Sequence, residues 1–345
     1  MLRRFFCKLL LVTIVVFALL ALSNVLLAQG RSADAFERVR QVQEAHTAQL
    51  LAMEGVEGTA IGIDDDGRLA VKVFTDGPGV AGIPRNLEGV PVKVVITGKF
   101  YAIKGPPEGK GPKTPKEEVD PTARFDRPVP IGVSTGNEGE CSAGTIGCRV
   151  KAGSRIYALS NNHVYALENE AGDNSRILQP GLYDTGCVYD EDNVIGTLSN
   201  YVPIDFDGGE NTIDAAIAIC DDTLGNATPS DGYGTPKSET VPAYIGLPVQ
   251  KYGRTTSLTK GIVSDTNFIG NIGYSSGTAL FVDQIIVYSP KGPFIKAGDS
   301  GSLLVTDPER EPVGLIFAGS SSGKYAIANP IGDVLDAFGV DIDGE

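Results

Sequence analysis

The sequence predicts a mainly β protein, in which a small α+β unit precedes a longer all-β body. Three observations carry this. From Val129 onward, short apolar runs recur with Gly, Asn, Asp and Pro between them, among them "RIYALSN", "VIGTLSNYV", "PVQKYG", "DQIIVYS", "SLLVT" and "VGLIFAG". Such spacing is that of antiparallel strands in a sandwich or in barrels. Within that stretch only "PIGDVLDAFGV" has helical spacing, with Pro330 at its start. Ahead of it, one amphipathic helical segment is followed by alternating strands.

The chain opens on "MLRRFFCKLLLVTIVVFALLALSNVLLAQG". Arg3, Arg4 and Lys8 form a positive front, Leu9 to Leu22 is an apolar run, and Ala28 is a small residue at which a signal peptide over 1–28 would be cleaved. The alternative is an uncleaved membrane anchor, since the apolar stretch approaches spanning length, although Ser23 and Asn24 interrupt it. Either way the body is expected outside the cytoplasm, secreted or periplasmic. The formal net charge of −14 becomes more negative once the basic leader is gone. It opposes nucleic-acid binding and anionic lipid, so no membrane contact is expected beyond an uncleaved anchor.

Residues 31–104 read as the α+β unit. Phe36, Val39, Val42, His46, Leu50 and Met53 fall near one face of a helix over 34–53, with Asp34 and Glu37 at its start and Gly55 as its stop. "TAIGIDDDGRLAVKVFT" is a hairpin around a "DDDG" turn. That turn lacks the downstream spacing of a calcium loop. "PVKVVITGKFYAI" is a third strand. Residues 105–128, rich in Pro, Gly and charge, read as an exposed linker, and 129–345 as the β body.

Cys141, Cys148, Cys187 and Cys220 remain past the leader. An even count in an exported chain suggests two disulfides, with three connectivities open. Cys187 is expected to pair with Cys220, or each with one of Cys141 and Cys148. Without paired CxxC motifs, and with 2 histidines in the chain, no structural metal site is expected.

The chemistry centres on "IKAGDSGSLLVT". Ser300 stands in a tight polar loop that leads into a buried hairpin. A nucleophilic serine needs a histidine base, and the base needs an orienting carboxylate. His46 belongs to the helix face. His163, in "RIYALSNNHVYA", stands where a buried strand ends in small polar residues. Asp214, in "NTIDAAIAIC", is embedded among apolar neighbours, where a carboxylate is costly unless paired.

His163, Asp214 and Ser300, in this order and in these contexts, resemble the chymotrypsin/trypsin-like serine peptidases. "GDSGS" matches that family's nucleophile loop, "LSNNHVYA" its histidine segment and "TIDAAIAI" its buried aspartate strand. "YGRTTSLTKGIV" and "VGLIFAGSSSGKYAIA" are further echoes. The resemblance covers about residues 130–345. It implies a trypsin-type double antiparallel β-barrel with the site between the barrels, and peptide-bond hydrolysis through an acyl-enzyme, without a cofactor. His163, Asp214 and Ser300 would be catalytic, the N–H groups of Gly298 and Ser300 would form the oxyanion hole, and Phe294, Ala318, Gly319 and Gly323 would line the substrate pocket. Partners would be protein or peptide substrates. The other reading is a catalytically silent relative that binds peptides or proteins.

Three departures stand out. No cysteine follows His163. No typical activation sequence precedes the barrels, so Asp299 needs a cation such as an arginine. Phe294, at the expected pocket floor, argues against cleavage after Arg or Lys.

Overall fold

The computed structural model of the chain describes residues 33–102 and 119–345. The leader over 1–28 and most of the expected linker lie outside the described residues. Helix α1 covers 33–51. Strands β1 (Val56–Ile63), β2 (Leu69–Thr75), β3 (Asn86–Leu87), β4 (Val90–Ile96) and β5 (Phe100–Ala102) follow. The body begins with β6 (Ser134–Asn137), β7 (Gly144–Thr145), β8 (Cys148–Ala152), β9 (Arg155–Ser160), the one-turn helix α2 (Asn162–Tyr165), β10 (Arg176–Leu178), β11 (Val194–Tyr201), β12 (Glu210–Asn211) and β13 (Ala216–Ile219). It continues with β14 (Pro248–Gly253), β15 (Ser257–Gly273), β16 (Thr278–Tyr288), β17 (Leu303–Thr306), β18 (Pro312–Ser320), β19 (Tyr325–Pro330), α3 (Ile331–Phe338) and β20 (Asp341–Ile342).

Two sheets make the body. One runs β20-β8-β9-β13-β11-β10-β6-β7 and curls around Val150, Leu159, Ile177 and Ala218. In the other, β14, β15, β16, β19, β18 and β17 form a closed antiparallel ring, because β17 pairs back to β14. Strand β18 is buried at every position. Leu315 enters the core of the first sheet, Ile316 the interior of the ring, and Phe317 and Ala318 the core shared with the N-terminal strands. That triple duty explains why "VGLIFAG" reads as an unbroken apolar run rather than an alternating one.

The N-terminal elements are not a separate body. Strand β1 pairs antiparallel with β15, Gly58 opposite Gly270, so the sheet continues from the ring through β1 and β2 to β4. Phe74 lies edge-on to Phe100 and Phe268, each at 5.8 Å, and to Tyr325 at 6.5 Å. Gly58 and Gly270 make room for this cluster, since a Cβ on either would come within 2.3 and 2.4 Å of the Phe268 ring. Residues 33–102 therefore share a sheet and a core with the body. The expected third strand divides at Thr97–Lys99, where Gly98 takes φ +75°, and β5 leaves β4 to join β18. The described end of the linker is packed as well: Ser134 donates to the Pro121 carbonyl at 2.8 Å, and Phe125 packs on the first core. The "DDDG" stretch is the β1–β2 turn, its carboxylates taken by Arg68 and Lys93.

One bridge forms, Cys141–Cys187. It ties the loop before β7 to the turn that follows Leu182–Thr185. The second expected bridge, and with it a Cys187–Cys220 pair, is corrected: Cys148 and Cys220 are free thiols inside the first core. Burial pushes the Cys220 thiol up to about 12 and that of Cys148 higher still, so both are inert apolar fillers.

Because the Phe74 cluster spans both halves, Phe74→Ala is expected to destabilise the whole described body by about 3–5 kcal/mol. Thermal unfolding followed by calorimetry should show one shifted transition. Two transitions, with only the earlier one moved, would contradict a shared core.

Candidate active site

The first sheet supplies His163 and Asp214. Strand β9 ends buried at Ser160, and the chain turns through Asn161 into α2, whose second residue is His163. Asp214 lies not within a strand, as the apolar pattern suggested, but in the extended link just before β13. Two asparagines hold that link. Asn161 donates to the Asp214 carbonyl at 2.7 Å, and the Asp214 N–H donates to Asn329 Oδ1 at 3.1 Å. The His163 side chain is 1% exposed and that of Asp214 0%, and Nδ1 lies 2.6 Å from Oδ2. The His163 backbone N–H adds a bond to Oδ1 at 3.2 Å, and the Tyr274 hydroxyl donates to Oδ2 at 2.9 Å. An ionised Asp214 places the ring proton on Nδ1 and leaves Nε2 with its lone pair. Nε2 is buried and has no hydrogen-bond partner among the described residues.

The second sheet supplies Ser300, in the loop before β17. Its Oγ donates to the Phe317 carbonyl at 3.2 Å. The expected partnership of Ser300 with His163 is thus not made in this arrangement.

The loop that carries Ser300 is built around Asp299. Its carboxylate accepts the N–H groups of Thr255 (2.8 Å), Thr256 (3.1 Å) and Lys296 (2.9 Å) and the Thr256 hydroxyl (2.7 Å). Its cation is Lys251, with Nζ 3.2 Å from Oδ2 and both side chains 0% exposed. The expected arginine is absent from this role. Arg254, the arginine of "YGRTTS", pairs instead with Asp184, its Nε 3.0 Å from Oδ2. Burial pulls the Lys251 ammonium below its usual range, while Asp299 opposes that shift.

Two carbonyl anchors orient the expected oxyanion donors. The Ala297 carbonyl accepts the Thr255 hydroxyl at 2.6 Å, and the Asp299 carbonyl accepts the Ser302 hydroxyl at 2.6 Å. These carbonyls belong to the peptide planes that carry the Gly298 and Ser300 N–H groups, so each N–H points away from its anchor. Gly298 takes φ +95°, and a Cβ there would meet Thr255 Oγ1 at 2.7 Å and Arg254 Cδ at 2.9 Å, so only glycine fits.

Beside the loop is a cavity of about 190 Å³, bounded by Ile295 to Ala297, Gly319 to Gly323 and Tyr101. Of the four pocket residues expected from sequence, Gly319 and Gly323 line it. Phe294 and Ala318 do not: both are 0% exposed, Phe294 inside the ring and Ala318 in the shared core. Phe294 lies in the loop between β16 and β17 with its ring packed, like Ile295, in the core of the ring, and the less buried Lys296 and Ala297 border the cavity. Strand β5 lies along β18 here, with Ala102 opposite Ala318, Tyr101 opposite Gly319 and Phe100 opposite Ser320.

Sequence reasoning missed Tyr274, Lys251 and the two asparagines. Lys251 carried a readable signal, a lysine inside the apolar strand "PVQKYG", the same anomaly that exposed Asp214. Tyr274, in a hairpin turn, carried none.

No protein-family model matches the chain, and no curated protein matches it. Among solved structures it is similar to a glutamic acid specific serine protease described as using a novel histidine triad in substrate binding, at 20% identity and TM-score 0.44, covering 62% of this chain and 100% of that one. It is also similar to Thermobifida fusca Protease A, at 18% identity and TM-score 0.45, covering 63% of this chain and 100% of that one. A third similar structure is Nocardiopsis protease, at 16% identity and TM-score 0.45, covering 62% and 99% respectively. The mainly β architecture stands on the strand pairings themselves and agrees with the mainly β body expected from the sequence.

Lys251→Met should destabilise the protein by about 3–5 kcal/mol, because it leaves Asp299 buried without its cation. Denaturant unfolding of Lys251→Met, Asp299→Asn and the double variant checks this. The double variant should lose less than the two single losses combined.

Proposed function

We propose that the chain is an exported serine endopeptidase that hydrolyses peptide bonds through Ser300, His163 and Asp214. The observation that carries this reading is the buried His163–Asp214 pair, 2.6 Å apart, with the opposite ring nitrogen unpartnered. For reaction, Ser300 Oγ turns from the Phe317 carbonyl to His163 Nε2. It then attacks the substrate carbonyl while Nε2 takes its proton, and the Gly298 and Ser300 N–H groups receive the developing oxyanion. His163 returns the proton to the leaving amine, and water releases the acyl group by the same steps. Asp214 holds the ring tautomer and steadies the imidazolium. A peptide extended along β18 would use the edge at Ala318–Ser320 that β5 occupies, so peptide cleavage requires β5 to yield it.

Labelling with a fluorophosphonate tests the nucleophile, and this small probe does not need the β18 edge. Ser300→Ala and His163→Ala should each abolish labelling and lower hydrolysis of a casein-type substrate by roughly 10⁴-fold, with the fold intact. Near-normal turnover in either variant would refute the assignment, and an unlabelled wild type would favour the silent peptide-binding relative.

The cavity beside the loop that carries Ser300 is bounded by no carboxylate, and Ala297 and two glycines contribute apolar or open surface. A desolvated cation would lack a partner there. Cleavage of a random peptide library, read by mass spectrometry, is expected to favour uncharged side chains, apolar or small, just before the scissile bond. A strong bias for Arg or Lys would show that another part of the chain supplies a carboxylate.

A further inference from the structure

Tyr274 belongs to the second sheet, yet it reaches a carboxylate of the first. Strand β15 runs 17 residues, long enough to leave the ring. The turn that closes it is tight, with the Tyr274 N–H donating to the Gly277 carbonyl at 2.7 Å. This turn is docked on the loop after α2: the Ser275 and Ser276 N–H groups donate to Glu168 Oε1 and Oε2 at 3.3 and 2.7 Å. The ring is edge-on to His163 at 6.0 Å and to Phe206 at 5.5 Å, and stacked on Phe281 at 6.1 Å. Its hydroxyl ends 2.9 Å from Asp214 Oδ2, the same oxygen that holds His163 Nδ1.

We propose that Tyr274 is a positioning residue for the His163–Asp214 pair, which spends part of the Asp214 charge on its hydroxyl and so sets how strongly that carboxylate holds His163. The inference rests on the catalytic reading above. Ring packing alone does not require the hydroxyl to point at a buried carboxylate, and an indifferent hydroxyl would avoid competing for an oxygen already bonded at 2.6 Å. Tyr274 stays a donor because burial, reinforced by the neighbouring Asp214 charge, holds its phenol well above the usual range. The titratable groups that face this cluster are His163 on α2, Asp214 before β13, Glu168 after α2 and Tyr274 itself. Glu168 is bonded to the far side of the turn, so its charge also disfavours a phenolate.

Removing the hydroxyl leaves Asp214 with one donor fewer and a more basic carboxylate. The imidazolium then gains stability relative to the neutral ring, and its titration moves to higher pH. Nuclear magnetic resonance of the full chain follows this directly. In a His46→Gln background only His163 remains, and His46 lies on α1, bonded to Glu88, away from the site. Tyr274→Phe is expected to move the His163 ring titration upward by about one pH unit. It should also move the acid limb of the kcat/KM profile in the same direction, and lower kcat by roughly tenfold with KM unchanged. 3-Fluorotyrosine at 274, a stronger donor of nearly the same shape, should move the titration the opposite way, and it serves as the measurement if Tyr274→Phe does not fold. A titration unmoved by either change overturns the proposal, whatever happens to stability. The ring titration needs no turnover, so a chain that never reacts with fluorophosphonate would sink the peptidase reading while the titration still decides the role of Tyr274.

Discussion

A carboxylate shut away from water is tolerated only where donors or a cation answer its charge, and two such carboxylates organise this molecule. Asp299 gathers three backbone N–H groups, a hydroxyl and Lys251, and in doing so shapes the loop that presents Ser300. Asp214 gathers the His163 ring, the His163 N–H and the Tyr274 hydroxyl. Apart from the Lys296 N–H, the donors to Asp299, and all those to Asp214, come from segments distant in sequence. Satisfying the charges therefore fixes how strands β13, β14 and β15 approach the helix and loop that carry His163 and Ser300.

The same economy appears at the junction of the sheets. Strand β18 lends residues to three cores, and its carbonyl at Phe317 holds Ser300 Oγ. Thr145, at the end of β7 in the first sheet, donates its hydroxyl to the Gly298 carbonyl at 2.8 Å and its N–H to the Ser300 carbonyl at 2.8 Å. The Cys141–Cys187 bridge braces the loop before that strand. The loop that carries Ser300 is thus tied to both sheets.

Much of this was legible in the sequence because burial leaves a local mark. Short apolar runs between turn residues are strands wherever they are packed, and a lone Asp214 inside such a run announces a partner. Lys251 left the same mark. One bridge was legible from the even cysteine count, and Cys141–Cys187 is among the pairings left open. That Cys148 and Cys220 stay unpaired was not, since it follows from their burial in the first core. Phe294 misled for a related reason. Loop residues near a cavity point in or out according to backbone turns that composition does not encode, and here the ring faces the barrel interior. Tyr274 was invisible because its partner is fixed by the length of a hairpin and the docking of its turn, both of them properties of the assembled sheets.

The separate reading of residues 31–104 missed for a subtler reason. Their pattern of one helix and a few strands is complete in itself, but the aromatic positions Phe74 and Phe100 have no sufficient apolar partners within it. They find them in Phe268 and Tyr325 of the second sheet. Gly273 shows how close this union comes to the buried Asp214. It pairs with Tyr101 of β5 on one side, where a Cβ would approach the Tyr101 ring to 2.8 Å, and it immediately precedes Tyr274. The strand that lies along β18 therefore also abuts the base of the hairpin whose tip touches Asp214. Moving β5 would free the β18 edge and, at the same residue, remove a support of that hairpin. The N-terminal segment thus reaches the base of the hairpin through Gly273, where nothing larger than glycine fits against Tyr101.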